Sequence, residues 1–271
     1  MFTPVAGVPA SPPAQGLVAA AGPQPQLARW ELGLAWIPER CGTAYELVPL
    51  CDEPAVEYDV PRPGSAYYQP VGLRIADQCT TMSGPVDLDR VRRTVEAQTP
   101  FAIARELWTG EGTQADPYTV GGVDTANAYL ASDNADVVGT GGASARVGIG
   151  RLEQAALETT HGQPVWLHVP LLVLPQLHGY IRVVGNTLVT LAGSVVVADA
   201  GYPGTGPDGA PAGDTVWAYA TSPVTVLQSP LTVIEGPDTV DSATNTRTTW
   251  TSRVFAATYD PCVHLATEIT L

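Results

Sequence analysis

The chain has 271 residues, 45% of them apolar, with 13 basic against 27 acidic groups and a net charge of −14; that is enough apolar material for one large domain or two modest ones. The acidity argues against sequence-independent binding of nucleic acid or anionic lipid through a basic face. All 13 basic residues are arginine, so Schiff-base chemistry, a phosphate-loop lysine and any lysine-based covalent cross-link are excluded.

The first stretch, MFTPVAGVPASPPAQGLVAAAGPQPQ, has no cation ahead of its apolar residues, and prolines interrupt every candidate hydrophobic run. It reads as neither a signal peptide nor a membrane span. Residues 1–28 are expected to be a flexible arm that orders, if at all, against a partner surface. Residues 29–84 are rich in Pro, Tyr and acidic side chains, with β-like runs at Ala44–Val48 and Tyr67–Ile75 broken by Pro49, Pro54, Pro61, Pro63 and Pro70. That punctuation predicts a long loop of two extended strands. Such a flap cannot bury its own aromatics, so Trp30, Trp36, Tyr45, Tyr67 and Tyr68 need either the main body or a neighbouring subunit to lie on. With no secretory signal in view, Cys41, Cys51, Cys79 and Cys262 are expected as reduced thiols. Spacing alone leaves a Cys41–Cys51 loop open.

From Asp87 to Gly110 the pattern predicts a helix kinked or split at Pro100, packing Phe101, Ala104, Leu107 and Trp108. Arg90, Arg92 and Arg93 mark either a solvated face or a partner contact. The polar stretch 111–142 reads as a loop with one helical turn near Thr125–Leu130. Next, Ala145, Ile149, Leu152 and Ala156 form the apolar stripe of an amphipathic helix stopped by Gly162 and Pro164. A buried strand follows at Val165–Val169, then an apolar segment Leu171–Tyr180 expected to coil into a helix, then a strand pair, Thr187–Leu191 and Ser194–Ala198. After a loop at 204–214 comes an expected antiparallel pair, Thr215–Ala220 and Val224–Leu227. The last strands are Arg247–Thr258 and Cys262–Thr270, joined at Asp260-Pro261, and there is no internal repeat.

Candidate chemistry is thin. Gly139–Ser144 (GTGGAS) precedes a helix, but Ser144 stands where Gly-x-Gly-x-x-Gly has its last glycine, and no lysine follows. His161, His168, His178 and Asp199 do not fall at the spacing of ligands on one helical face, and no HExxH or GxSxG motif is present. Cys262 and His264 make only a lone Cys-x-His. No catalytic residue, cofactor or metal is expected, and the chain is read as not an enzyme. What remains is shape: an arm and a flap that a monomer gains little by ordering, at roughly 1–2 kcal/mol of backbone entropy per residue, and that a lattice of copies can cover.

The run LVTLAGSVVVADAGYPG…AGDTVWAYATSPVTVLQSPLTVIEG…NTRTTWTSRVFAATYDPCVHLATEI resembles the closing half of tailed-phage major capsid proteins of the Hong Kong 97 type, a fold shared with encapsulin shells. The matching positions are Leu191–Val197, Gly213-Asp214, Trp217–Ala220, Val224–Leu227, Arg247–Thr258 and Asp260-Pro261-Cys262. The segment ending in ELWTG and the helix followed by HGQPVWLHVP are similar to actinobacteriophage versions, and the likeness spans roughly residues 85–271. It implies an α+β Hong Kong 97-type capsid fold. The parts would be an N-terminal arm (1–28), an extended-loop region (29–84, the loop itself about 40–75), a peripheral domain with a long helix (85–142 and 237–271) and an axial domain (143–236).

The function implied is a virion capsid subunit that assembles in the host cytoplasm into hexamers and pentamers around double-stranded DNA, held without specific binding and with no membrane contact. Decoration, scaffold and portal proteins are possible partners; the alternatives are an encapsulin-like shell or a decoration or tail protein. The assembly-contact candidates are Trp30, Trp36, Tyr67 and Tyr68, with Arg40, Arg62 and Arg74 (and Arg29 beside them) pairing acidic groups on adjacent subunits, and Arg90, Arg92 and Arg93. One departure matters: some members weld neighbours through a Lys–Asn isopeptide bond, which a chain without lysine cannot form.

Overall fold

The computed structural model describes residues 15–22, 27–38, 65–80, 88–114, 118–120, 123–125, 127–139, 141–207, 209, 213–234, 240–241 and 244–271. The first described element, α1 (Leu17–Ala21), lies within the expected flexible arm, yet Leu17 is fully buried and α1 packs on the main body. A 3-10 turn at Trp30–Leu32 leads to β1 (Leu34–Trp36), which pairs antiparallel with β2 (Ala66–Tyr68). β3 (Val71–Thr80) follows, so Pro70 breaks the run between two strands, as expected.

Helix α2 (Leu88–Thr109) runs unbroken through Pro100. Its last turns bury Ile103, Ala104, Leu107 and Trp108, while Phe101, expected to pack, is half exposed. After the short α3 (Glu111–Gln114) comes a two-stranded pair, β4 (Tyr118–Val120) and β5 (Val123–Thr125), so the helical turn expected from Thr125 onward is a strand end instead. β6 (Asp136–Val137) and β7 (Ala143–Ser144) then feed α4 (Ala145–Thr159). That helix buries the anticipated stripe of Ala145, Ile149, Leu152 and Ala156, and its end is closed by Gly162 N–H donating to the Leu157 carbonyl at 2.7 Å.

The next segment builds an eight-stranded sheet. β8 (Trp166–Pro170) is buried at every residue, as a central strand with both faces covered must be. The apolar run after it is a 3-10 helix, Leu171–Leu177, not an α-helix, and the residues beyond it form β9 (Ile181–Val184). β10 (Thr187–Thr190) and β11 (Val195–Asp199) follow as expected, with β11 parallel to β8. β12 (Thr215–Thr221) completes the middle of the sheet. β13 (Thr225–Gln228), expected to pair with β12, belongs to a second sheet together with β14 (Thr232–Ile234), β15 (Val240–Asp241) and β16 (Thr246–Thr258). Finally β17 (His264–Thr270) returns to the first sheet, whose order is β6-β17-β12-β8-β11-β10-β9, with β7 also on β17.

β16 is the spine of the second sheet. One of its edges pairs with β3 over ten register positions, from Thr246↔Thr80 to Phe255↔Val71, and the other carries β13, β14 and β15 in succession. This sheet thus draws β3 from the expected extended-loop region and β13 and β14 from the expected axial segment, while β17, from the expected peripheral segment, lies in the eight-stranded sheet.

α2 lies across β16 and β3, and α4 lies across β17 and β12. One core gathers Leu17, Ile103, Leu107, Trp108, Tyr219 and Phe255; a second gathers Ile149, Leu152, Leu167, Val173, Ala218 and Ile269. The first is tightest at Gly201, where an added Cβ would stand 2.6 Å from the Phe101 carbonyl oxygen and 2.8 Å from Arg105 N. Only a residue without a side chain lets the turn after β11 touch the α2 backbone. Cys262 is disulfide-bonded, which corrects the expectation of a reduced thiol there; Cys41 and Cys51 lie outside the described residues.

Candidate assembly surfaces

The aromatics of the extended-loop region divide by strand alternation. In the β1–β2 ladder Leu34 faces Tyr68, Ala35 faces Tyr67 and Trp36 faces Ala66. Successive side chains point to opposite sides, so Tyr68 turns inward and Tyr67 outward. Tyr68 and Trp30 pack with Leu227 and Ala256 in a small core of the chain's own residues, with Leu34 and the half-buried Trp36 against them. Tyr67 is 41% exposed, and Leu32 and Ile37 project further. Beside them runs a groove of about 450 Å³ lined by Trp36, Ile37, Pro223, Leu227 and Tyr259. A second groove, of about 690 Å³, lies between α2, β3 and β16, with Val71, Leu73, Phe101 and Phe255 on its walls. Glu106 also lines it: Oε2 accepts from Gly112 N–H at 2.7 Å, Oε1 has no partner, and burial pushes the carboxyl above its usual range.

The polar residues that suggested chemistry are used to hold the fold. Thr221 Oγ1 donates to the Ser222 carbonyl at 2.7 Å, so it accepts from His168 Nε2–H at 2.9 Å; Nδ1 is then free to accept from the Tyr202 hydroxyl at 2.9 Å. His168 is fully buried, and desolvation, with His264 nearby, lowers its pKa to about 3. His264 Nε2 bonds the Leu130 carbonyl at 2.8 Å, and burial lowers its pKa also. Asp199 receives Leu17 N–H on Oδ2 at 3.0 Å and Gly201 N–H on Oδ1 at 2.9 Å, tying α1 to the end of β11. Burial raises its pKa, and these amides pull the other way. His161 and His178 are exposed and separate from this cluster. Among the described residues no group of three His, Cys, Asp or Glu side chains could hold a metal ion, and no helix is long and apolar enough to cross a membrane.

No protein-family model matches the chain, and no curated protein matches it in sequence. Solved structures do match its fold. The capsid of an empty GTA particle superposes with a TM-score of 0.55 at 11% identity, covering 100% of this chain and 92% of that one. The capsid of Ralstonia phage GP4 gives 0.54 at 8% identity, over 100% and 95%. A chain of Gordonia phage Cozz gives 0.55 at 11% identity, over 95% and 86%. The fold is that of a tailed-phage capsid protein.

Eight of the ten expected contact residues lie among the described residues, on β1, β2, β3, the 3-10 turn before β1 and the first turns of α2. Trp30 and Tyr68, at 8% and 3% exposure, lie on the main body of their own subunit, one of the two surfaces expected for them. Tyr67 and the edge of Trp36 remain outward. Arg40 and Arg62 lie outside the described residues. Arg74 is exposed on β3, opposite Ser252, and Arg90, Arg92 and Arg93 lie exposed on the first turns of α2, Arg92 with Asp89 at 3.6 Å. Sequence reasoning missed the outward valines of β9, Val183 and Val184. The signal was there: a Gly-Asn pair, Gly185-Asn186, between two β-branched runs is a two-residue hairpin turn.

Proposed function

We propose that this chain is the major capsid protein of a tailed phage, a subunit that binds copies of itself in hexamers and pentamers to close an icosahedral shell around double-stranded DNA. The observation that carries the reading is coverage: the likeness to capsid structures takes in the whole of this chain and nearly the whole of theirs. The chemistry agrees with it. The buried histidines and Asp199 are each occupied by structural hydrogen bonds, which suits a subunit without catalysis. A net charge of −14 suits a container through which DNA must slide without being gripped. Decoration, scaffold and portal proteins would be further partners, in a shell assembled in the host cytoplasm.

The test is to purify the full-length chain, raise its concentration, and follow it by sedimentation velocity and negative-stain microscopy. Closed polyhedral shells or hexameric rings are expected. A well-ordered solitary particle of 28.3 kDa at every concentration would refute the reading. Shells that enclose a companion protein and no DNA when recovered from the native source would move it to a cargo compartment.

A further inference from the structure

The eight-stranded sheet is open at both ends, and the two edges differ in character. At one end β9 exposes Arg182, Val183 and Val184, with Leu191 exposed just past β10. Among the described strands β9 forms a ladder with β10 alone, besides a single bridge from Ile181 to His178, so along Arg182–Val184 one row of its backbone N–H and C=O groups has no described strand beside it. Open edges of this kind are commonly blunted by proline, a bulge or several charges; β9 has a single arginine and two valines that are 63% and 52% exposed. At the other end β6 and β7 lie outside β17, and there Asp133, Asp136 and Val137 are exposed, the valine at 53%. Among the described residues Arg182, Asp133 and Asp136 form no ion pair.

The edges are thus matched in kind and opposite in charge: valines beside an unpaired cation, and a valine beside two unpaired anions. Six inter-strand steps separate them along the sheet, about 29 Å at about 4.8 Å per step, so they cannot meet within one subunit. A two-fold contact of β9 with β9 would set Arg182 against Arg182, and one of β6 with β6 would set aspartate against aspartate. A head-to-tail contact pairs unlike charges and buries valine on valine.

We propose that the β9 edge of one copy of this chain docks on the β6 edge of the next, with Arg182 facing Asp133 and Asp136 and with Val183 and Val184 covering Val137. This rests on the shell reading, for which it names a contact. Because the two faces are different patches, the contact is directional and repeats around a ring.

The experiment uses charge exchange in the full-length chain. Arg182→Asp and Asp136→Arg should each lower the assembled fraction about tenfold at a concentration where the unaltered protein is half assembled, and the double exchange should recover most of it. All four residues involved are exposed, and an unchanged urea midpoint checks that each variant folds. As a second arm, Val183→Cys with Val137→Cys should, on mild oxidation, give a ladder of linked subunits whose cross-linked peptides join positions 137 and 183. Single exchanges that assemble like the unaltered protein, a double exchange no better than the worse single one, or a ladder lacking that peptide would overturn the contact while leaving the shell reading standing. If the unaltered chain never assembles, the shell reading falls, and this contact falls with it.

Discussion

His168 is the residue whose environment makes the sharpest quantitative demand. It is sealed between Tyr202 and Thr221 as the neutral Nε2–H tautomer, with its pKa lowered to about 3 from an ordinary 6.5. A histidine whose folded pKa is depressed binds its proton more readily when unfolded. The stability this confers is complete above pH 6.5 and is lost as pH falls from there towards 3. For an unfolded value of 6.5 and a folded value of about 3, the loss is about 2 kcal/mol at pH 5 and about 4 kcal/mol at pH 3. His264 shifts in the same direction and adds to it. Asp199 and Glu106 shift upward, so burying their charge costs stability at neutral pH, and that cost is relieved in acid; they oppose the histidines. Comparing the protein with His168→Gln cancels every group but one. Urea unfolding of unassembled full-length chain at pH 7.5 and 5.0 should show the variant losing about 2 kcal/mol less than the unaltered protein over that interval. The imidazole NMR signals should report the Nε2–H tautomer still present at pH 5. Equal losses in the two proteins, or a protonated His168 at pH 5 in the folded chain, would refute the argument.

Gly201→Ala drives a Cβ into the α2 backbone at Phe101 and Arg105, where no flexible side chain can yield; a loss of about 3 kcal/mol is expected, read as a lowered urea midpoint. Leu17→Ala empties a fully buried site on α1 and should cost about 2–5 kcal/mol, with limited proteolysis near residue 17 accelerating in step. The neighbours Tyr67 and Tyr68 should behave oppositely. Tyr68→Ala removes a buried ring and should lower stability by about 3 kcal/mol, whereas Tyr67→Ala should leave the unfolding free energy within about 0.5 kcal/mol and weaken assembly instead, as measured by sedimentation.

The legible parts of this fold are those fixed by local periodicity. The stripe of α4, the long strand ending at Thr258 and the buried strand around His168 follow from a 3.6-residue repeat, from a Thr- and aromatic-containing run or from a short apolar run, and all lie where the residues put them. Apart from the β10–β11 pair, strand partners were less legible. Thr215–Thr221 and Thr225–Gln228 are separated by a Ser-Pro corner that reads as a turn between partners, yet the chain changes sheets there, and Ser222 Oγ instead accepts Asp260 N–H at 2.7 Å. Pro100 reads as a kink or a split because its ring removes a donor and clashes with the preceding turn. α2 nevertheless continues, with Thr99 bonding the Val95 carbonyl at 2.6 Å and the following turn buried against β16; tertiary burial outweighed a local penalty of about 3 kcal/mol. The division of the aromatics into core and surface depended on the β1–β2 register, which composition alone does not set.

The proposed edge contact would also let a shell be held without lysine-based welds. Fully burying a valine or leucine is worth about 1.5–3 kcal/mol. Val137, Val183, Val184 and Leu191 are each between half and two-thirds exposed, so covering all four yields on the order of 5 kcal/mol, to which Arg182 and its aspartates add a screened, desolvation-limited increment. Bringing two subunits together costs an estimated 4–15 kcal/mol of translational and rotational freedom. One such contact therefore roughly cancels, and an isolated pair of subunits is scarcely favoured. In a closed ring every subunit uses both edges, while the last contact joins parts already tethered and forgoes most of that entropic cost. Cohesion then belongs to the closed assembly more than to any single interface. Misplaced subunits can dissociate before closure, and a chain with no lysine to weld its neighbours can still settle into a uniform shell.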